Sequence, residues 1–442
     1  MDNLKARSPW WWIPTLYFAE GIPYFIVNNI SVVMFTKMGV PNEQMALFTG
    51  LLYLPWTVKP LWSPFVDILK TKRWWIVAMQ AVMTAAFVLL ALSLPRPDAA
   101  AMASTTVPVS LFTITLVIFL ITAFASATHD IAADGFYMLA LPQKEQSFFV
   151  GIRSTFYRLS SIFGQGALVW IAGTLEKSTG DIPSAWRLTI ILTAVIFACI
   201  TLYHVFIIPR PASDHSSLAS GGDRSVRSGK ILSEFGRAFM TFFKKKGILV
   251  AMLFLLLYRI PEALMLKMVT PFFLDPVSSG GMGLTTSQLG LVYGTVGVIA
   301  LTIGGIVGGI AASRWGLRKS LWPMALSLVL PNIVYVYMSL VQPSSLWLAG
   351  TCIAVEQFGY GFGFTAYMLY MIYFADGEFK TSHYAICTAF MALSMMIPGM
   401  FAGYIWKWLG GYVNFFIMVM ACCLVTVAVT FLVKVDPEYG KK

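Results

Sequence analysis

The sequence predicts an all-α membrane protein with twelve transmembrane helices in two six-helix bundles. Three observations carry that expectation: the apolar composition, the spacing of long apolar runs, and the side on which the basic residues collect. Of 442 residues, 58% are hydrophobic and only 12% are charged, and the mean hydropathy is +0.74. A soluble domain carries about 25% charged residues, so a chain this apolar is expected to sit in a bilayer.

The apolar runs give the first six spans as 10–36, 43–66, 74–95, 109–140, 149–172 and 187–208, within an N-terminal bundle at 1–208. A second six at 247–274, 287–312, 320–341, 346–374, 383–408 and 413–433 fill a C-terminal bundle at 247–442. The first run is too long for a signal peptide and lacks a small-residue cleavage pattern, so it reads as a span. The linker, 209–246, opens as a Pro/Ser/Gly loop. It closes with Ile231, Leu232, Phe235, Phe239, Phe242 and Phe243 on one helical face, followed by Lys244, Lys245 and Lys246. That pattern predicts an amphipathic helix lying on the membrane, not a thirteenth span.

With both termini in the cytoplasm, inner segments hold 22 of the 31 Lys and Arg residues and outer loops hold five (Lys37, Arg96, Lys177, Arg187 and Lys407). Lys59, Arg158, Arg259 and Lys267 lie within spans. This bias sets orientation by the positive-inside rule. The net charge of +11 therefore serves topology and anionic lipid, which argues against a nucleic-acid partner. Cys199, Cys352, Cys387, Cys422 and Cys423 all fall in apolar runs, without the spacing of a disulfide framework or zinc site. His129, His204, His215 and His383 lie on separate elements. No metal, cofactor or enzymatic constellation is expected, and there is no soluble domain of the kind a membrane sensor carries.

The halves echo each other. Trp62-Ser63-Pro64-Phe65-Val66-Asp67 leads into Lys70, Lys72 and Arg73, and Ser313-Arg314-Trp315-Gly316-Leu317-Arg318-Lys319 occupies the corresponding place in the second half. Six plus six spans, a central linker and this repeated basic loop describe the major facilitator architecture. Asp67 and Arg73 are the candidate gating residues.

Ionisable groups inside spans are costly and normally face a cavity or a partner. Asp130 and Asp134 are four apart and share a helical face. Counted at 1.5 Å per residue, Glu20, Lys59, Asp130 and Arg158 occupy one layer roughly 12–15 Å from the cytoplasmic surface. Asp134 falls one turn nearer the cytoplasm, with no base expected at its depth. Arg259, Glu262 and Glu356 fall near the midplane. Five acids against four bases leave one carboxylate over, a candidate proton carrier. Arg158 is either a partner for Asp130 or Asp134 or a substrate contact. Arg259 and Glu262, three apart, can neutralise each other, and Lys267 is expected to snorkel to the outer headgroups. Candidate substrate contacts are Glu20, Tyr24, Lys59, Asp130, Arg158, Arg259, Glu356 and Tyr360. Candidate proton-coupling groups are Asp130, Asp134, Glu20 and Glu356. Gly and Pro are expected to break the spans at Glu20-Gly21-Ile22-Pro23-Tyr24, Arg259-Ile260-Pro261-Glu262 and Gly359-Tyr360-Gly361-Phe362-Gly363-Phe364.

Several of these stretches carry a family resemblance. Glu20-Gly21-Ile22-Pro23, Lys59-Pro60-Leu61-Trp62-Ser63-Pro64-Phe65-Val66-Asp67, Asp130-Ile131-Ala132-Ala133-Asp134 and Tyr157-Arg158-Leu159 lie in the first half. Tyr258-Arg259-Ile260-Pro261-Glu262-Ala263, Glu356-Gln357-Phe358-Gly359-Tyr360-Gly361 and Ser382-His383-Tyr384-Ala385 lie in the second. Together they resemble the muropeptide permease (AmpG) family of major facilitator transporters, whose first-half signatures acetyl-coenzyme A transporters share. His129 departs from the Gln often found there, and Glu20 from the usual Gln or small residue. The resemblance implies a monomeric bacterial inner-membrane protein that imports GlcNAc-anhydro-MurNAc, with or without peptide, together with protons. Lys59 and Arg259 would then meet the solute's carboxylate. Import of another di- or oligosaccharide, transport of an acetyl-coenzyme A-like solute, and a non-transporting sensor are the alternatives.

Overall fold

The computed structural model describes residues 8–214 and 224–436, and every regular element among them is helical. Helices satisfy their own backbone hydrogen bonds, which lipid cannot do for them. Among the described residues, eight helical stretches are long and apolar enough to cross a membrane. One of them, Thr286–Val341, is two spans folded at Gly316, where φ is 76°; only glycine takes that left-handed conformation without strain. Three more spans complete the twelve. The second runs through Asn42–Leu51, Leu54–Val58 and Ser63–Leu69. The fifth runs through Gln143–Ser161, Ile162–Leu168 and Val169–Thr179. The tenth is Leu346–Ala375.

The three expected breaks come out differently. Span seven is interrupted as expected, at Arg259, between Ile248–Leu257 and Ile260–Leu274. Span one instead stays α-helical through Pro23 and changes to a π-helical turn at Ile26–Ile30. Span ten is continuous. Its glycines do not bend it but let neighbours approach: a Cβ on Gly361 would stand 2.0 Å from the Leu301 carbonyl oxygen and one on Gly363 2.4 Å from that of Met324.

The linker helix, Arg224–Phe243, packs mainly on span eleven of the second bundle and also touches Ser63–Leu69 of span two. Ala238 and Phe242 are buried, and His383 Nε2 contacts the Ala238 carbonyl at 3.0 Å and Thr241 Oγ1 at 3.2 Å. Lys245 donates to the Phe374 and Asp376 carbonyls at 2.5 and 2.6 Å. Phe239, Met240 and Phe243 stay exposed as a lipid-facing fringe. The side chains of 224–232, and with them Ile231 and Leu232, lie outside the described residues, as does His215.

The bundles meet most closely at the end away from the linker. There span eleven lies on span two, and a Cβ on Gly403 would stand 2.4 Å from the Asn42 carbonyl oxygen. Asn42 Nδ2 lies 3.3 Å from Tyr412 Oη, which donates to Asp275 Oδ2 at 2.5 Å. Thr286 Oγ1 donates to Glu176 Oε2 at 2.6 Å, and Lys407 pairs with Glu43 at 2.5 Å. These contacts seal the far end and leave a cavity beneath.

Candidate functional site

The cavity between the bundles measures about 700 Å³, within the range of small-molecule sites. Its first-bundle wall is built on spans one, two, four and five. Pro60 ends the helix Leu54–Val58, so Lys59 enters the cavity from a 3-10 turn, where it forms an ion pair with Asp130. Glu20, from the first span, brings its carboxyl group within hydrogen-bonding reach of that of Asp130, while Glu20 Oε2 has no hydrogen-bond partner. Two carboxylates at such a distance repel when both are ionised and attract when they share one proton.

Asp134 differs from expectation. Arg153 Nη2 lies 2.8 Å from Asp134 Oδ1, and Tyr17 Oη donates to the same oxygen at 3.2 Å. The Arg153 guanidinium also stacks 4.5 Å from the Tyr17 ring centroid. The base was missed because the fifth helix starts at Gln143, not at the expected 149, so Arg153 stands a few turns inside it.

The second-bundle wall carries Arg259, Glu262, Glu356 and Tyr360. Arg259 binds Glu262 through two bonds, at 2.8 and 2.6 Å, and donates to Tyr360 Oη at 2.8 Å. Its guanidinium lies 4.7 Å from the Phe364 ring centroid. Glu356 Oε2 accepts from Tyr335 Oη at 3.0 Å and from Gln357 Nε2 at 2.9 Å, both neutral donors.

The pairing thus departs from five acids against four bases with one acid over. Lys59–Asp130, Arg153–Asp134 and Arg259–Glu262 pair, and Glu20 and Glu356 form no ion pair among the described residues. Arg158 and Lys267 likewise have no acid partner there. Arg158 does not join Asp130 or Asp134. It lines the cavity and reaches across to span eight, where Gly305 leaves room: a Cβ there would stand 3.1 Å from Arg158 Nη2. Lys267 does not snorkel, being 1% exposed with its amine turned to Thr49.

Tyr24 lines the cavity with its ring edge-on to Trp56 at 5.1 Å. Tyr53, Tyr157 and Tyr293 add further aromatic faces. Arg73 donates to the Ile208 and Val205 carbonyls of its own bundle at 3.1 and 2.5 Å. The side chain of Asp67 lies outside the described residues. Sequence reasoning also missed a buried relay. Gln80 Nε2 lies 3.0 Å from His129 Nε2, Gln80 Oε1 lies 3.0 Å from His204 Nδ1, and His204 Nε2 lies 2.9 Å from Thr15 Oγ1. It ties spans one, three, four and six; the two histidines are far apart in sequence and meet only through Gln80.

A model of the Major Facilitator Superfamily matches residues 15–383. A Haemophilus influenzae protein is 23% identical over 412 residues, covering 90% of this chain and 88% of its own length. A Rickettsia conorii protein that carries the name transporter AmpG 4 is 23% identical and covers 88% of this chain and 87% of itself. The anhydromuropeptide permease of Escherichia coli K12 is 22% identical over 62% of this chain and 50% of the permease. Among solved structures, a D-xylose-proton symporter matches with a TM-score of 0.71 at 13% identity, covering 97% of this chain and 98% of the symporter. An inward-facing bacterial homologue of the lysosomal transporter Spinster matches with a TM-score of 0.69 at 15% identity, covering 98% and 97%. At such identity these two likenesses bear on the fold alone. The chain belongs to the major facilitator superfamily, as a multi-pass membrane transporter whose relatives include proteins named as AmpG transporters and as an anhydromuropeptide permease.

Proposed function

We propose that this transporter imports an anionic amino sugar of the anhydro-muropeptide class across the bacterial inner membrane, together with protons, by alternating access. One observation carries the substrate's charge: Arg158 lines the cavity with no acid partner among the described residues. Lys59 and Arg259 already hold carboxylates, so the solute's carboxylate goes to Arg158, whose planar fork suits it. The tyrosines around the cavity offer flat apolar faces with hydroxyl handles, which suit sugar rings. Glu20 is the proton carrier of the first bundle, through its contact with Asp130, and Glu356 that of the second. The charge bias makes the linker end cytoplasmic, so a seal at the far end corresponds to an inward-facing transporter.

Uptake of labelled GlcNAc-anhydro-MurNAc into proteoliposomes tests this reading. Accumulation is expected only with a proton gradient directed inward, and to collapse with a protonophore. Competition by the unlabelled muropeptide, but not by neutral disaccharides or acetyl-coenzyme A, is expected. Competition by a neutral disaccharide would make the chain a general saccharide importer. Competition by acetyl-coenzyme A alone would move it to that class of solute. Accumulation that ignores the protonophore would remove the proton from the mechanism.

A further inference from the structure

Lys267 is a buried amine for which the cavity chemistry has no use. It stands on span seven about 12 Å beyond Arg259, toward the sealed end, by helical rise. It is 1% exposed and absent from the cavity lining. Its Nζ donates to Thr49 Oγ1 at 3.0 Å and sits 5.2 Å from the Tyr53 ring centroid. Thr49 spends its own hydroxyl proton on the Met45 carbonyl at 2.7 Å, so its free lone pairs face the lysine. Gly399 of span eleven closes the third side, where a Cβ would stand 3.4 Å from Lys267 Cγ. No carboxylate pairs with Lys267 among the described residues.

These contacts cross the boundary between the bundles. Thr49 and Tyr53 belong to the first bundle, and Lys267 belongs to the second. An amine held by a hydroxyl and a ring, with no anion, loses much of its hydration without regaining a charge partner. Any opening of the far end must part span two from span seven. The lysine then leaves Thr49 and Tyr53 and enters water as an ammonium at the mouth of the cavity.

We infer that Lys267 is the anion contact of the outward-open state: it meets the solute's carboxylate at the mouth, and on closure it withdraws to Thr49 and Tyr53 while the carboxylate passes to Arg158. The inference rests on the anionic solute of the proposed function. It gives the two faces of the transporter different binding residues for the same group. Arg158 lines the cavity that remains under the seal, whereas Lys267 is reachable only from the far side.

The test compares half-saturation on the two faces, in proteoliposomes of defined orientation, with labelled GlcNAc-anhydro-MurNAc and its neutral methyl ester. Lys267→Met is expected to raise half-saturation for the acid about tenfold from the far side, with the linker side unchanged. For the ester it should change neither face. Lys267→Arg should restore the far-side value, and Arg158→Gln should weaken both. A lysine that merely staples the seal would instead shift the two faces in opposite directions, and Thr49→Val would copy Lys267→Met. Either result, or equal losses for acid and ester, overturns the inference while leaving the substrate intact. Failure of the unaltered protein to take up the muropeptide overturns both.

Discussion

The two bundles hold their intramembrane charges in opposite ways. In the first, the ion pairs among the described residues of the cavity wall join different helices: Lys59 of span two with Asp130 of span four, and Arg153 of span five with Asp134 of span four. In the second, Arg259 and Glu262 close on each other within one turn of span seven. A change of protonation in the first bundle therefore alters what holds helices together. The same change in the second falls mainly within one turn, with one further bond from Arg259 to Tyr360 of span ten. Under the proposed proton coupling, a proton taken up at the first bundle's pairs would act between helices, whereas the Arg259–Glu262 pair forms a local polar element of the second.

The largest effect expected from this difference comes from Asp130→Asn. It leaves Lys59 in a largely buried site, and removing one partner of a buried pair typically costs about 3–5 kcal/mol. Glu20 lies close enough to take over part of the charge, so the single variant should lose less than the double variant Glu20→Gln with Asp130→Asn. Adding Lys59→Met to Asp130→Asn should recover stability without recovering uptake. Thermal unfolding in detergent reads all three. Equal stability of the single and double variants would mean that Glu20 plays no part in the cluster.

Next is the counterpart in the second bundle. Arg259→Gln should destabilise the protein, because Glu262 loses both of its bonds. Neutralising the pair together, as Arg259→Gln with Glu262→Gln, should return most of that loss, since both ends of the ion pair sit on one helix turn and only the bond from Arg259 to Tyr360 reaches a second helix. If the double variant remains as unstable as the single, the pair also holds helices together and the contrast between bundles fails.

Glu20→Gln should produce a functional change with little change in stability. Its Oε2 accepts no hydrogen bond, so an amide there strands no partner. Exchange of labelled for unlabelled muropeptide should persist while accumulation against a gradient is lost. Glu356→Gln provides the comparison. It keeps Tyr335 as a donor to its amide oxygen, and a loss of accumulation there as well would assign proton binding to both bundles.

Most spans were legible in the sequence because apolar length decides them, whereas spans two, five and ten, less apolar or broken into short helices, were placed by their order between the others. Which charges would meet was not legible. Pairing depends on how each helix is rotated about its axis, and helices that are apolar on most faces do not reveal that rotation. Lys267 shows this directly: its depth in span seven was available, but nothing indicated that it faces Thr49 instead of lipid. Arg153 was lost to a boundary error, because the polar first turns of the fifth helix look like loop. Arg259–Glu262 was readable because it is local. The glycines of span ten signalled a break in sequence, but in the structure they are packing surfaces.

The smallest effect, and the sharpest test of the first bundle's internal division, belongs to Asp134. By depth alone it looked like an unpaired carboxylate suited to releasing a proton at the inner gate. With Arg153 at 2.8 Å and Tyr17 at 3.2 Å it is instead a paired group at the rim of the cluster. The pair is also partly open to solvent, with Arg153 28% and Asp134 42% exposed. Pairs this exposed contribute only about 0–1 kcal/mol. Asp134→Asn should therefore move the unfolding temperature little and leave accumulation in place, while Arg153 keeps its stacking on Tyr17. The same variant read by counterflow and by proton-driven uptake decides the point. If accumulation is lost while exchange persists, Asp134 carries the proton after all, and the division between an inner cluster that couples and a rim pair that only braces has to be redrawn.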